Sequence, residues 1–367
     1  MSFNDNDFLS RQGWDEFFES IFKDPFLSTL TPARVIGEER ELYRLQTQPD
    51  QSFWGAITGK LQHRARGRAD YPAVGDWVLI DHPPGADRAV IHAVCPRKTV
   101  MQRQQVASTA ADVQIIASNI DTIFIATSLN DDFNVRRLHR YMTVAFSSGA
   151  RPVILLTKAD LLSDGGASVI TEVHAEFPGT GVYTLSMNDF AQARFFEKYL
   201  GPGQTVVVVG SSGVGKSTLV NYLIGHEVLK TQGIREDDSK GRHTTTSRGL
   251  FPTRFEGWII DTPGMRELSM VDHEEGLHAQ FSEIEELIGQ CRFSDCQHHG
   301  EPGCAIQRGL DEGLISPDRW ASYLKLAAEI RHALRKQDRS LYAEDRKLWK
   351  KLTLAGRARG ENKRRIK

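Results

Sequence analysis

The sequence predicts three units in a row: a small β-barrel, a central doubly wound α/β domain, and a mostly helical region built around a cysteine–histidine cluster. Three observations carry this reading. Between Arg34 and Val106 short alternating segments are broken by Gly and Pro, the spacing of a small barrel. From Ile120 to Ile260 branched apolar runs alternate with amphipathic stretches, the rhythm of a mostly parallel sheet covered on both faces. Past Phe281 strand-like segments cease, and Cys291, Cys296, His298 and Cys304 fall within 14 residues.

Each element follows from local pattern. The first 30 or so residues are acidic and carry Trp14, Phe17, Phe18, Ile21 and Phe22 at helical spacing, so a helix with one apolar face, packed on its own protein, is expected there. In the barrel, residues 53–58, 77–81 and 89–94 read as strands, and the Pro72–Asp76 pentapeptide as a turn feeding one of them. In the central domain, strands are expected at 122–127, 152–156, 181–185, 205–209 and 258–260, with helices at 135–146, 170–177 and 190–200. Residues 320–335 read as a helix of the last unit, and Cys95 as a small core residue. The boundaries read this way are 1–33 for the acidic extension, 34–108, 109–275 and 276–367.

Bulk composition narrows the class. A chain of 367 residues is too long for one core, and 40% hydrophobic with 25% charged residues is a globular balance. The longest apolar runs, 206–209 and 153–156, fall far short of the ~18 residues of a membrane span. The start has no charged-then-apolar leader, and only four cysteines are present, three of them in the cluster. A disulfide framework is therefore not expected, and a cytoplasmic location is. The net charge of −1 hides an asymmetry: Arg331 to Lys367 holds 14 Lys/Arg against 4 Asp/Glu, a net of +10. A solvated tail and a phosphate-neutralising arm both fit such a run.

Residues Gly210, Ser211, Ser212, Gly213, Val214, Gly215, Lys216 and Ser217 fit G-x-x-x-x-G-K-[ST], after an expected strand and before the helical run from Thr218. Glycines let the backbone N–H groups turn inward around phosphates, Lys216 is placed to reach the β- and γ-phosphates, and the Ser217 hydroxyl to ligate Mg²⁺. Thr157-Lys158-Ala159-Asp160 follows another strand. A carboxylate there can accept from both N1–H and the exocyclic amine of guanine, and adenine has no equivalent pair of donors. Thr157 stands where Asn is more usual, and Ser186, one strand on, is a candidate backbone contact to the base. Asp261-Thr262-Pro263-Gly264 closes a further strand; Asp261 is read as a water-mediated Mg²⁺ ligand and Gly264 as the γ-phosphate contact. In the segment 231–249, Thr245 is the candidate to close over Mg²⁺. Met265 stands where many GTPases carry a water-orienting glutamine, so His243 or a partner is expected to complete the catalytic set with Thr245 and Lys216.

The base reader precedes the phosphate loop, whereas the Asp-x-x-Gly segment follows it. That rotated order marks a circularly permuted GTPase. The four-residue set Cys291, Cys296, His298 and Cys304 has the composition of a closed structural Zn²⁺ site, with neighbouring His299 an alternative to His298.

Val74-Gly75-Asp76, Pro96-Arg97, Ala117-Ser118-Asn119-Ile120-Asp121, the base reader, Gly210 to Thr218, Gly241 to Thr246, Asp261 to Gly264 and the cysteine–histidine set together resemble the RsgA/YjeQ family over about residues 34–330. The resemblance implies an N-terminal OB-fold, a permuted P-loop GTPase domain and a C-terminal zinc domain. It further implies binding to the small ribosomal subunit and its rRNA late in assembly, with GTP hydrolysis to GDP stimulated by that subunit. A monomer with no membrane partner is expected. Trp54, Trp77, Arg64, Arg66 and Arg68 are available for RNA on the barrel, or equally as core tryptophans and solvated arginines. A non-catalytic RNA-binding scaffold and a GTPase serving another cellular signal are the competing classes.

Overall fold

The computed structural model describes residues 3–49, 51–104, 113–130, 133–186, 188, 190, 193–227, 248–261 and 273–334. The acidic extension folds as α1 (Phe3–Arg11) and the single turn α2 (Glu16–Glu19), followed by two short 3-10 turns. The expected continuous helix over Trp14 to Phe22 is thus broken. Asp15 caps α2 with its side chain, so Trp14 lies before the helix; Phe18 is buried and Phe17 is exposed.

The barrel consists of β1 (Thr31–Glu39), β2 (Leu42–Gln48), β3 (Gln51–Ile57), the capped helix α3 (Gly59–Arg64), β4 (Trp77–Asp81) and β5 (Arg88–Val94). Strands pair in the order β1-β2-β3-β5-β4, and β4 returns to β1, closing five strands with β3 and β5 parallel. Its first strand starts at Thr31, ahead of the boundary read at 34. Inward positions alternate, so Val35, Leu45, Val78 and Ile91 fill the barrel. Trp77 points the other way and is fully buried against Trp14 and Phe18 of the extension. Of the two readings open for Trp77, the core one holds: the apolar face of the extension covers it. Cys95 lies buried in the same cluster.

A two-stranded ribbon, β6 (Val100–Gln104) with β7 (Val113–Ser118), leads into the central domain. There follow β8 (Thr122–Ser128), α4 (Val135–Ser148), β9 (Arg151–Thr157), α5 (Ala167–Glu176), β10 (Gly181–Leu185), β11 (Thr205–Gly210), α6 (Lys216–Ile224), β12 (Gly249–Pro252) and β13 (Trp258–Asp261). The sheet order is β10-β9-β8-β11-β13-β12, parallel except for β12, and β12 continues onto β1 of the barrel. Strand β8 is buried along its whole length and two apolar clusters cover the two faces, which is why its residues are a branched run rather than an alternation. The expected helix at 190–200 is instead a 3-10 stretch, Ala193–Lys198. Its aromatic side chains Phe195 and Phe196 pack on Tyr183 and Phe124, and this packing overrides the helical spacing.

The last unit contains α7 (Glu274–Gln280), α8 (Ser282–Ile288), α9 (Ala305–Asp311) and the helical stretch 317–334, around Phe281, Ile284, Ile306 and Leu326. It docks on α4. A Cβ at Gly276 would lie 2.1 Å from both Ser147 Oγ and the Thr143 carbonyl, so α7 approaches α4 as closely as a residue without a side chain allows. Buried His139 bridges the seam: Gln280 Nε2 donates to His139 Nδ1 (2.7 Å), leaving Nε2 to donate to Glu176 (2.6 Å).

Two of the motifs that carry the family resemblance, Val74-Gly75-Asp76 and Pro96-Arg97, form the barrel–domain joint. Asp76 is fully buried and accepts from Arg97 Nε (2.8 Å), Arg97 Nη2 (2.7 Å) and the Ala73 amide (2.8 Å). Gly75, at φ +95°, has the Ser118 carbonyl 2.2 Å from where a Cβ would sit, and Asn119 donates to the Gly75 carbonyl. The extension reinforces this joint. Arg34, wholly buried over Trp77, donates to the Gln12 carbonyl, while the Arg11 carbonyl accepts from the Gly203 amide and the Trp258 indole. Burial pushes the Arg34 guanidinium down to about 10, although Asp121 and Asp76 oppose the shift.

Candidate functional site

The phosphate loop leaves β11 at Gly210. A Cβ at Gly210 would lie 2.2 Å from the Ala126 carbonyl of β8, so the loop can start only from glycine. Gly213 and Gly215 take left-handed φ of +80° and +94°, and Gly215 is the N-cap of α6. The chain therefore turns its amides inward and presents a helix N-terminus to the same point, the arrangement that holds phosphate oxygens. Lys216 Nζ donates to the Gly210 carbonyl (2.8 Å) and to the Ser211 carbonyl. Ser212 and Gly213 are exposed, Val214 is buried, and Ser217 and Thr218 stand on the first turn of α6.

The base-reading segment meets this loop directly. Thr157, fully buried at the end of β9, donates its hydroxyl to the Val214 carbonyl (2.8 Å), with the Thr127 carbonyl at 3.3 Å. The departure from Asn noted in the sequence thus keeps a short polar side chain that ties base reader to phosphate loop. Lys158 then turns into the left-handed region at φ +57°, Ala159 is buried, and Asp160 faces the next loop, where Asn188 Nδ2 donates to its carboxylate (3.2 Å). Ser186 follows β10 and its hydroxyl accepts from the Asn188 amide (3.2 Å). Registers align these ends: Thr157 lies opposite Leu185 and Ser128, and Gly210 opposite Ala126. Asp261 ends β13, opposite Gly249.

Thus Thr157 to Asp160, Ser186, Gly210 to Thr218 and Asp261 gather at the C-terminal edge of one sheet, where ligands bind in such folds. His243, Thr245 and Gly264 lie outside the described residues. Sequence reasoning missed two groups. Asn188 holds the Asp160 carboxylate, and Arg137 Nη1 on α4 donates to Ser211 Oγ (2.6 Å). A cavity of about 360 Å³ opens at the opposite edge of the sheet, where the extension meets Arg34, Lys98 and Asp121.

In the last unit, the ligand atoms of Cys291, Cys296, His298 and Cys304 lie within 4.8 Å of one another. His298 Nδ1 is 3.6 Å from the sulfurs of both Cys291 and Cys304. Tetrahedral Zn²⁺ with Zn–S near ~2.3 Å and Zn–N near ~2.05 Å places sulfur and nitrogen about 3.6 Å apart, so the donor set fits that ion. His298 reaches the cluster from a left-handed φ of +63°. Its neighbour His299 is not among the clustered ligand atoms, and its backbone amide donates to Glu301. Amides of Ala305 and Gln307 donate to the Cys291 and Cys304 sulfurs, partners suited to thiolates. Among the described residues no helix is long and apolar enough to cross a membrane.

Comparisons with known proteins agree with this geometry. The family model described as RsgA GTPase matches residues 94–271. A model described as ABC transporter matches residues 196–348, a span that opens on the strand–phosphate loop–helix unit common to P-loop nucleotide hydrolases. Small ribosomal subunit biogenesis GTPase RsgA 1 of Oceanobacillus iheyensis is 43% identical over 324 residues, covering 88% of this chain and 91% of its own. The RsgA of Opitutus terrae is 41% identical over 363 residues, covering 96% and 97%. RsgA 2 of Vibrio vulnificus is 38% identical over 359 residues, covering 98% and 97%, and so also spans the acidic extension. Among solved structures, YjeQ from Thermotoga maritima superposes with a TM-score of 0.62 at 22% identity, covering 82% of this chain and 98% of that one. YloQ, a circularly permuted GTPase, gives 0.59 at 21%, covering 83% and 96%. These two likenesses bear on the fold.

Proposed function

The chain belongs to the RsgA GTPase family, and from that membership we propose that it is a late assembly factor of the small ribosomal subunit. In this reading it binds the subunit's rRNA and hydrolyses GTP under the subunit's stimulation. GTPase activity itself follows from the family. The ribosomal role is supported by the relatives named small ribosomal subunit biogenesis GTPases, and the nucleotide chemistry by the convergence of Asp160, the Gly210–Thr218 loop and Asp261 on one sheet edge. Those segments arrive in rotated chain order yet build the strand order β10-β9-β8-β11-β13-β12.

The roles divide as follows. Asp160 accepts from the guanine edge, with Lys158 along the purine, Ala159 beneath it and Ser186 at its rim. Amides of the phosphate loop and Lys216 hold the phosphates. Ser217, Thr245 and Asp261 would hold the Mg²⁺ that accompanies GTP, which would supply charge neutralisation at the phosphates. Gly264 is assigned to the γ-phosphate, and His243, Thr245 and Lys216 to the catalytic set. The Cys₃His cluster would hold one structural Zn²⁺, its four donors filling a tetrahedral shell.

Division of labour among 34–108, 109–275 and 276–367 belongs to the same proposal, as do a monomeric state and a cytoplasmic location. The barrel offers an RNA-facing surface: exposed Trp54 stands in register with Arg44 on one side and Arg88 on the other. A stacking ring between two guanidinium groups suits single-stranded RNA. The test is GTP turnover with and without purified small subunits, and with Asp160→Ala. We expect stimulation by the subunit, binding that weakens steeply with salt, and loss of guanine preference in the variant. Equal turnover with and without subunits would remove the ribosomal role. Unchanged preference in Asp160→Ala would remove the base-reading assignment.

A further inference from the structure

We propose that Arg137 is a positioning residue for GTP hydrolysis, supplied to the phosphate loop by α4. This rests on the GTPase reading of the site. The guanidinium of Arg137 donates to Ser211 Oγ at 2.6 Å, while Lys216 rests on the carbonyls of Gly210 and Ser211. Two cations therefore converge on Ser211, from a helix on one side and from the loop's own lysine on the other.

Ser211 lies at the end of the loop away from the α6 N-terminus. Amides near that N-terminus cradle the inner phosphates, whereas the loop lysine serves the β- and γ-phosphates. The Lys216 ammonium parks at the Ser211 end, so that end is where the outer phosphates act. A guanidinium is always charged and its planar fork loses little freedom per bond formed. Anchored on Ser211, Arg137 fixes the loop's first turn and holds Lys216's resting carbonyl in place until the outer phosphates draw the lysine away. The backbone that carries it is itself fixed: Asn134 is the N-cap of α4 and its side chain accepts from the Arg137 amide. Neighbouring Arg136 is exposed and provides a control of equal charge.

The claim predicts an effect on GTP turnover larger than on GDP binding. Single-turnover GTP hydrolysis with excess protein, GDP affinity and thermal midpoint would be measured for wild type, Arg137→Ala, Arg137→Lys, Ser211→Ala, Arg137→Ala with Ser211→Ala, and Arg136→Ala. We expect Arg137→Ala to lower kcat/KM for GTP by about 10- to 100-fold, the range of one preorganised charge-assisted contact, with GDP affinity within about threefold and the thermal midpoint little moved. Arg137→Lys should recover part of the loss, Arg136→Ala should match wild type, and the double variant should be no worse than Arg137→Ala alone. Multiplying losses in the double variant, a parallel fall in GDP affinity and thermal midpoint, or wild-type turnover in Arg137→Ala would each overturn the proposal. Failure of the wild-type protein itself to turn over GTP would instead count against the activity on which the proposal rests.

Discussion

Replacing Thr157 by Val tests whether the base reader and the phosphate loop are one preassembled pocket. The hydroxyl is fully buried and donates at 2.8 Å to the Val214 carbonyl, with a second acceptor at 3.3 Å. Valine keeps the shape and removes the donor. One neutral hydrogen bond contributes about 1 kcal/mol net, and a buried carbonyl left without its donor costs about 1–3 kcal/mol. The unpaired carbonyl sets the cost, and about 1–3 kcal/mol corresponds to roughly 5- to 150-fold in an equilibrium constant. A chain of several units has no single unfolding free energy, so the loss is best read as nucleotide affinity, by titrating fluorescent GDP and GTP analogues. Both affinities should fall by a similar factor within that range, because the tether joins the base and phosphate ends whichever nucleotide is bound. Thr157→Ser, which keeps the hydroxyl, should stay near wild type. Val within twofold of wild type, or Ser as damaging as Val, would refute the reasoning.

Other perturbations follow from the same geometry. Gly276→Ala should lower the thermal midpoint, because its Cβ would sit 2.1 Å from the Thr143 carbonyl and 2.8 Å from the Ser147 amide, both backbone atoms of α4. The expected overpacking cost of about 1–3 kcal/mol exceeds the ~1 kcal/mol that Ala gains over Gly in a helix; an unchanged or raised midpoint would contradict the close seam. Removing metal with a strong chelator should release about one zinc per chain and expose amides of residues 291–311 to hydrogen exchange, while the barrel amides stay protected. Protection equal in both states would argue against a structural ion. The Glu176 carboxyl is held below its ordinary range: burial alone would raise it, but His139 and Arg319 outweigh that effect. Its stabilising contribution is therefore complete above the ordinary glutamate value and fades as pH falls through the lowered folded value. Glu176→Gln should flatten the acid limb of a thermal midpoint against pH curve; an identical limb would sink the assignment.

What was legible in the sequence was whatever is contiguous. The phosphate loop, the base reader and the cysteine–histidine cluster each occupy a short window, and their residue types fix their chemistry. Strands such as 152–156 were legible because burial on both faces leaves an unbroken apolar run. Contacts between distant segments were not. Arg137 and Ser211 are 74 positions apart, and nothing in Val-Arg-Arg-Leu tells which arginine turns inward. Trp77 stayed open between RNA contact and core because composition does not say which side of a barrel strand is covered; the extension that buries it lies some 60 residues earlier in the chain. His298 was read from the sequence as the fourth ligand, and the structure adds the left-handed turn from which its ring reaches the thiols. Two motifs that carry the family resemblance prove structural: the Asp76–Arg97 pair locks the turn inside the barrel, and the Val74 and Gly75 carbonyls accept from Ser118 and Asn119 of the central domain.

Helix α4 contains neither glycine nor proline between Val135 and Ser148, so it behaves as a stiff rod about 21 Å long. Its first turn is fastened to the nucleotide cradle through Arg137, and its later turns are mated to α7 through His139 and Gln280 and by the glycine-tight approach at Gly276. No compliant linker intervenes along that path. The rod thus makes one continuous packed connection from the cysteine–histidine module to the nucleotide-binding edge, along which a tilt at one end would be felt at the other.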